Sequence, residues 1–196
     1  MTGLYEWNPM PYRLEIKCPE CQSRAFFEFA EIVKISLTKD IDFFKNSSQF
    51  DYQLFKDHCG HGWHGAVFYP GLHGGSTASI TELPEGYSSS NWNHSRYLSE
   101  HRDIRWGSFV CTNCSARKKH DLKWPEDAFY SMNHKGNNLW AFDRESAVEL
   151  RDFIGSTARD ESSYKWSRFL RHIPTVFKHQ KNREPIFKQI NKLLAC

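Results

Sequence analysis

The sequence predicts an α+β fold in which a β-rich part is followed by a small helical part at the carboxyl end. Apolar residues alternate with polar ones along several stretches of the first two thirds of the chain, as in half-buried strands. After residue 142 they recur at the spacing of a helix. The chain has 196 residues, of which 39% are hydrophobic and 15% aromatic, and this composition is typical of a folded protein. We therefore expect a β-rich domain over residues 1–142 and a helical unit over residues 143–196.

Five stretches fit β-strands. The first, residues 11–18, places its apolar residues on one side and its charged residues on the other. Residues 25–36 fit a second strand, and their apolar positions also fit one face of a helix. The remaining strands are expected where aromatic and β-branched residues are bounded by turn formers or charges, at residues 52–55, 65–69 and 107–111. The dense Gly, Ser and Pro residues between positions 70 and 93 predict a long loop.

The predicted helical unit follows a hairpin. Two strand-like runs over residues 128–142 flank a polar, glycine-containing tip. Asp143 or Ser146 then caps a helix, whose apolar residues recur at helical spacing until Gly155 ends it. The last helix is expected over about residues 182–194, which carry an apolar stripe. We expect three helices in this unit.

The cysteines are the strongest indication of function. Two pairs at C-x-x-C spacing occur in a chain that begins without the features of a secretory signal, and each pair follows a strand-like run. This spacing lets both thiolates of a tight turn bind one ion, and four thiolates complete a tetrahedral zinc site. We therefore expect zinc as the cofactor, bound by Cys18, Cys21, Cys111 and Cys114. The arrangement predicts a zinc ribbon with a long insertion, residues 22–110, between its two cysteine turns.

Two features depart from compact zinc ribbons. The spacer has 89 residues, whereas compact ribbons use roughly 15 to 20. Each doubling of a loop costs only about 0.6 kcal/mol of closure entropy, whereas a structural zinc contributes an apparent binding free energy of about 10 to 16 kcal/mol. Zinc binding therefore outweighs the cost of the long spacer. The second departure is that Gln22 and Ser115, rather than glycine, follow the two pairs.

A second set of candidate ligands lies inside the spacer, in a stretch of eight residues from Asp57 to His64. The set is Asp57, His58, Cys59, His61 and His64. Cys59 with either His61 or His64 could complete a site with the first cysteine pair, which would leave the second pair without a metal. The alternative is that these histidines hydrogen-bond backbone groups at a glycine-containing turn.

The order of these motifs resembles that of HNH-type nucleases with an accessory zinc. A C-x-x-C pair precedes Asp57 and His58, and a second pair is followed by basic residues. The resemblance implies that His58 activates water as a general base, and that Asp57 and His64 hold a divalent cation. This sequence departs from that family at Ser115, where the nucleases have histidine.

Positive charge is concentrated in two places. Arg117, Lys118 and Lys119 follow the second cysteine pair, with Trp124 nearby, and residues 163–196 carry a net charge of +7 against −4 for the rest of the chain. Cations neutralise phosphates and aromatic rings stack on bases, so both places are candidates for nucleic-acid contact. In the second place the candidate residues are Lys165, Arg168, Arg171, Lys178, Lys181 and Arg183. The alternative is that these cations bind no nucleic acid and simply lie on a solvated strand edge and on the solvent-facing side of helices.

Several stretches carry a family resemblance. They are the pair at residues 111–114, HDLKWPEDAFY at 120–130, LWAFDRESA at 139–147, and IPTVF at 173–177 followed by KNR at 181–183. These stretches resemble a family of uncharacterised bacterial zinc-ribbon proteins, over about the last 85 residues plus the first cysteine pair. The resemblance implies a ribbon followed by a small helical unit, with the two pairs sharing one zinc. The resemblance does not indicate any particular activity and leaves the function open.

The sequence as a whole favours a zinc-binding accessory protein that binds DNA or RNA, or scaffolds a larger complex, without catalysis of its own. Catalysis is disfavoured because the chain has no phosphate-binding glycine loop and no nucleophile elbow. The alternatives are the metal-dependent nuclease using Asp57, His58 and His64, and an interaction subunit of a bacterial complex. No apolar run approaches the roughly 18 to 20 residues of a membrane span, so we expect a cytoplasmic protein without a membrane partner.

Overall fold

The computed structural model describes residues 10–57, 59–80, 82–95, 105–160 and 163–195. Within these residues the chain is a mixed α+β protein with antiparallel sheets and several helices, which confirms the predicted fold class. The strands are β1 (Arg13–Lys17), β2 (Arg24–Phe29), β3 (Glu31–Lys34), β4 (Asp51–Lys56), β5 (Gly62–Phe68), β6 (Asn93–His94), β7 (Trp106–Cys111), β8 (Arg117–Asp121), β9 (Ser131–His134) and β10 (Asn137–Trp140). The helices are α1 (Ile41–Asn46), α2 (Pro70–His73), α3 (Arg144–Gly155), α4 (Ser167–Arg171), α5 (Thr175–Lys178) and α6 (Gln180–Leu194). None of these helices is long and apolar enough to cross a membrane.

The strands form sheets in the orders β1-β2-β7-β8, β4-β5-β3-β6 and β9-β10. The chain divides into two compact units, one comprising residues 26–123 and the other the described residues up to Ala25 together with those from Trp124 onward. Both breaks differ from the predicted boundary between residues 142 and 143. The hairpin β9–β10 belongs with the helices because Leu139 lines one small cavity with Leu150 of α3 and Ile190 of α6.

The unit of residues 26–123 is built around the sheet β4-β5-β3-β6. β5 pairs antiparallel with β3 and β4, so that Val67 lies opposite Ile32 on one side and Asp51 on the other. Successive side chains of a strand point to opposite faces, and this sheet buries apolar residues on both. The buried residues on one face are Val33, Ile35, Ile41, Phe44, Phe50, Ala66, Phe68 and Trp92. Those on the other are Ala30, Ile32, Phe55, Val67 and Tyr69.

The predicted strand over residues 25–36 is two strands. β2 ends at Phe29 and β3 begins at Glu31. Ala30 lies between them, and its amide donates to the carbonyl of Trp106 at 2.9 Å. Nearby, Gly107 of β7 approaches β2 so closely that a Cβ at this position would overlap the carbonyl oxygen of Glu28. No side chain fits there without moving the backbone.

The other unit contains the predicted hairpin and the helix that follows it. Asp143 caps α3, because its Oδ1 accepts the amide of Ser146 at 2.7 Å while the Ser146 hydroxyl accepts the amide of Asp143 at 3.0 Å. These reciprocal bonds form a capping box, which satisfies amides that the first turn of a helix leaves without partners. The helix ends at Gly155 as predicted.

The carboxyl-terminal helices differ from the prediction in number and in one boundary. The described residues contain α3 to α6, where three helices were expected, and two of them, α4 and α5, are short helices of five and four residues. α6 begins at Gln180 rather than near residue 182, so Pro185 lies inside it and removes one backbone hydrogen bond. The buried Asn182 supports the first turn, donating to the carbonyl of Val176 at 2.8 Å and accepting from Lys135 at 2.9 Å.

Candidate functional site

The two C-x-x-C pairs form one cluster in the structure. The sulfur atoms of Cys18, Cys21, Cys111 and Cys114 all lie within 4.8 Å of one another. The first cysteine of each pair, Cys18 and Cys111, is buried at the end of a strand, whereas Cys114 is exposed. The predicted convergence of the two pairs is therefore confirmed.

The two cysteine turns have the same backbone geometry. The amide of Cys18 donates to the carbonyl of Ser23 at 2.8 Å, and that of Cys111 donates to the carbonyl of Ala116 at 2.9 Å, five residues on in each case. Gln22 and Ser115 both adopt φ of 61°. This is the left-handed conformation that glycine adopts most easily, so each of these two residues takes the conformation that a glycine would provide at its position. The Gln22 amide group also donates to the carbonyl of Cys18 at 3.2 Å.

The donor set and its spacing fit a zinc ion. Zinc lies about 2.3 Å from each thiolate sulfur in a tetrahedral site, which places the sulfurs about 3.8 Å apart. The cluster, with every pair of sulfurs within 4.8 Å, needs only a small contraction to reach that geometry. Four protein thiolates leave no open position for water or substrate, so an ion bound here would stabilise the structure and would not catalyse a reaction.

The histidine-rich stretch does not join this cluster. Cys59 and His61 instead group with Asp57, with donor atoms that lie within 4.8 Å of one another. His64 is in neither group. Its Nδ1 shares a hydrogen bond of 2.5 Å with the hydroxyl of Tyr52, and the two rings stack. His58 lies outside the described residues, and the described part of the chain does not bring Asp57 and His64 together as metal ligands.

The predicted basic strand is β8, at one end of its sheet. Arg117, Lys118 and Lys119 are all exposed, whereas His120 packs its ring against Phe109 at a centroid distance of 5.9 Å. In an end strand, exposed cations are not covered by a further strand of the same sheet. This placement makes the strand accessible to an anionic partner.

A groove of about 290 Å³ lies beside β8. Its lining combines aromatic rings with amide and charged groups, among them those of Asp51, Gln53, Tyr69, Trp106, Lys119 and Asp121. Asp51, Gln53 and Phe55 alternate along β4 and therefore share a face of the sheet, where the Phe55 ring packs against those of Trp63 and Trp106. The groove therefore has an aromatic wall and a polar rim.

The charged groups of the groove are paired at the surface. The ammonium group of Lys119 contacts the carboxylate of Asp51 and lies 5.1 Å from the centre of the Tyr69 ring. Both partners of this ion pair are about half exposed, at 50% and 45% of their side-chain surface. Burial, and secondarily the negative charge of Asp51, raises the pKa of the Tyr69 hydroxyl to about 12. Tyr69 is therefore a neutral hydrogen-bonding group at physiological pH.

Trp124 and the basic carboxyl-terminal residues lie in the other unit. Trp124 is only 7% exposed, and its ring stacks on Phe142 with centroids 5.7 Å apart, so it presents no open face. Lys165 pairs with Glu145 at 2.7 Å, and the ammonium group of Lys178 donates to a backbone carbonyl at 2.9 Å. Among the other candidate contacts of this segment, Arg168, Arg171 and Lys181 are exposed, and Arg183 is half-buried.

The groove residues were not predicted from the sequence. Lys119 was identified through its charge, but Asp51 and Gln53 lie in β4, Tyr69 lies just beyond β5, and Trp106 lies in β7. These strands belong to two different sheets, so the residues come together only in the folded unit. The alternation along β4 was the available signal, since it places Asp51 and Gln53 on the same face as Phe55. It does not indicate which residues stand opposite.

Comparison of the chain with protein-family models, curated proteins and solved structures finds no match. The resemblance to bacterial zinc-ribbon proteins therefore stays a prediction. Function must be inferred from the residues of this chain and from their geometry.

Proposed function

We propose that the protein is a zinc-binding accessory protein that binds single-stranded nucleic acid along β8. In this proposal the ion held by Cys18, Cys21, Cys111 and Cys114 is a structural zinc, in a ribbon-like pair of cysteine turns. The nucleic-acid contact is made by Arg117 to Lys119 together with the groove beside them. Catalysis forms no part of the proposal.

The observation that carries this proposal is an exposed cationic strand next to a groove with an aromatic wall. Arg117 and Lys118 are exposed at one end of β8, and Lys119 lies at the groove itself. Proteins that bind single strands combine cations that follow the phosphates with aromatic side chains on which bases stack. The half-buried ring of Trp106 is the candidate stacking surface.

The polar groups of the groove favour a base over a phosphate as its occupant. Asp51 and Asp121 are carboxylates and would repel a phosphate, but they can accept hydrogen bonds from the amino groups of bases. Gln53 can both donate and accept. A volume of about 290 Å³ is at the small end of ligand sites, which suits one flat ring rather than an extended ligand.

The ion pair between Lys119 and Asp51 does not oppose binding strongly. Exposed ion pairs contribute only about 0 to 1 kcal/mol to stability, because water screens both charges. A nucleic-acid ligand can therefore exchange the Asp51 contact of Lys119 for its own groups at small cost.

The test is the salt dependence of binding to a fluorescent single-stranded oligonucleotide, measured with DNA and with RNA of the same sequence. We expect the logarithm of the affinity to fall linearly with the logarithm of salt concentration. The double variant Arg117→Gln/Lys118→Gln should weaken binding and reduce the slope by about 1.4, at about 0.7 for each lost phosphate contact. Trp106→Leu should weaken binding by about 1 to 3 kcal/mol through lost stacking and leave the slope unchanged.

Lys34→Gln is the matched control, because Lys34 is an exposed cation of the same unit outside β8 and the groove. It should bind as the wild type does. Thermal unfolding of each variant would verify that the fold is retained. Absence of binding at low salt, or equal losses in Lys34→Gln and in the β8 variant, would contradict the proposed surface.

A further inference from the structure

We infer that the tip of the β4–β5 hairpin binds an exchangeable zinc ion through Asp57, Cys59 and His61. This site is separate from the four-cysteine cluster and does not depend on nucleic-acid binding. The three side chains supply a carboxylate oxygen, a thiolate and an imidazole nitrogen, whose donor atoms all lie within 4.8 Å of one another.

The hairpin holds these residues close together. β4 and β5 pair up to Lys56 and Gly62, so the tip begins at Asp57 and ends at His61. The amide of Asp57 donates to the carbonyl of His61 at 2.8 Å, and the amide of Gly60 donates to the carbonyl of Asp57 at 3.1 Å. Gly60 has φ of +87°, which lets the chain reverse here.

The spacing of the donors matches a metal site. The Nδ1 of His61 lies 3.5 Å from the Oδ2 of Asp57, and nitrogen and oxygen ligands of a tetrahedral zinc lie about 3.4 Å apart. The other carboxylate oxygen of Asp57 accepts the amide of His61 at 2.8 Å, which fixes the orientation of the carboxylate. The donors therefore need little movement to meet one ion.

The chemistry of the donors selects the kind of metal. Thiolate and imidazole ligands favour Zn²⁺ and similar transition metals over Mg²⁺ and Ca²⁺, which prefer oxygen. On binding, Cys59 gives up its thiol proton to solvent, so zinc binding should release a proton.

Exposure makes this site unlike the four-cysteine cluster. The His61 side chain is 82% exposed and Cys59 is also exposed, so an ion here can exchange with solvent. Three protein donors leave the fourth tetrahedral position for water or for a donor atom of another molecule. We therefore expect an ion to exchange faster at this three-donor site than at the four-cysteine cluster.

The test is a cobalt titration of the full chain already loaded with one equivalent of zinc. Co²⁺ binds more weakly than Zn²⁺ to a given set of ligands, so it should not displace zinc from the four cysteines. We expect one equivalent of Co²⁺ to bind in addition to the zinc and to produce a near-ultraviolet thiolate-to-cobalt charge-transfer band. Cys59→Ser should abolish that band, and both Cys59→Ser and His61→Ala should weaken cobalt binding at least tenfold. Elemental analysis should find the first zinc retained throughout.

His73→Ala is the matched control, since His73 is an exposed histidine of the same unit and belongs to neither donor group. It should bind cobalt as the wild type does. The three substituted residues are exposed, so their variants should unfold at the wild-type temperature. The inference is overturned if no second equivalent binds below millimolar cobalt, or if Cys59→Ser and His61→Ala bind it as the wild type does, which would mean adventitious binding only.

Discussion

Ser115 occupies a backbone conformation that costs an ordinary residue about 1 to 2 kcal/mol, because its Cβ crowds the following carbonyl. Glycine avoids this cost but loses roughly 0.5 to 1 kcal/mol through the greater freedom of the unfolded chain. We therefore predict that Ser115→Gly raises the free energy of unfolding by roughly 0.5 to 1 kcal/mol, measured by denaturant unfolding with zinc bound. Ser76→Gly is the control, since Ser76 is exposed with φ of −71°, and it should bring no gain. A lower free energy of unfolding in Ser115→Gly would contradict the proposed backbone strain at Ser115.

Tyr69 should make the free energy of unfolding depend on pH in the alkaline range. Its hydroxyl stays neutral in the folded protein up to a pKa of about 12, whereas in the unfolded chain it ionises near its ordinary pKa of about 10. The stabilisation is therefore complete below pH 10 and is lost as the pH rises from 10 to 12. We predict that the difference in Tm between wild type and Tyr69→Phe shifts in favour of the variant over this interval. A constant difference would show that Tyr69 does not titrate abnormally.

At the scale of elements, the start of α3 depends on a side chain from β1. The buried Glu15 accepts the amide of Arg144 at 3.2 Å and the hydroxyl of Tyr130 at 3.2 Å, and it lies 3.5 Å from the guanidinium group of Arg24. A carboxylate at this position also interacts favourably with the positive end of the helix dipole.

Removing that carboxylate should destabilise the unit. We predict that Glu15→Ala lowers the free energy of unfolding by about 3 kcal/mol, because buried donors lose their acceptor. Glu15→Gln, which keeps an acceptor oxygen, should cost less. Glu126→Ala, at an exposed glutamate of the same unit, should change stability by less than about 0.5 kcal/mol. Equal effects at the two positions in denaturant unfolding would be evidence against this role.

Elements with strong local signals could be predicted from the sequence. The period-two pattern identified β1, and Asp143 and Gly155 marked the ends of α3. The start of α6 was displaced because Asn182 takes its partners from Lys135 and Val176, which no local pattern shows. Boundaries that depend on contacts distant in the sequence are the ones that sequence patterns miss.

At the scale of the whole molecule, the predicted zinc should account for a large part of the stability. Removing the ion with a strong chelator should cost more than about 4 kcal/mol when free zinc had been 1,000-fold above its Kd. For a chain of this size the Tm should fall by about 10 °C or more, and added zinc should restore it. Cys111→Ser should lose stability in the same way, whereas Cys59→Ser should not. An unchanged Tm after complete metal removal would contradict a structural ion.

The four-cysteine cluster could be predicted from the whole chain because its chemistry is carried by four residues of one rare type. Cysteine pairs at this spacing have few other uses, so their distance in sequence did not obscure them. The groove has no such signature, because Asp51, Tyr69 and Trp106 are individually ordinary residues that come together from two different sheets only in the folded unit. Trp124 shows the opposite case, in which proximity to basic residues in sequence placed a core residue among the candidate contacts.

The matching hydrogen bonds and φ values of the two cysteine turns have an evolutionary consequence. Each turn is closed by a backbone hydrogen bond within six consecutive residues, from Cys18 to Ser23 and from Cys111 to Ala116. We therefore expect relatives of this protein to differ in the length of the stretch between the two turns while keeping both turns. Kinship is best sought by aligning each half on its own and letting the distance between them vary.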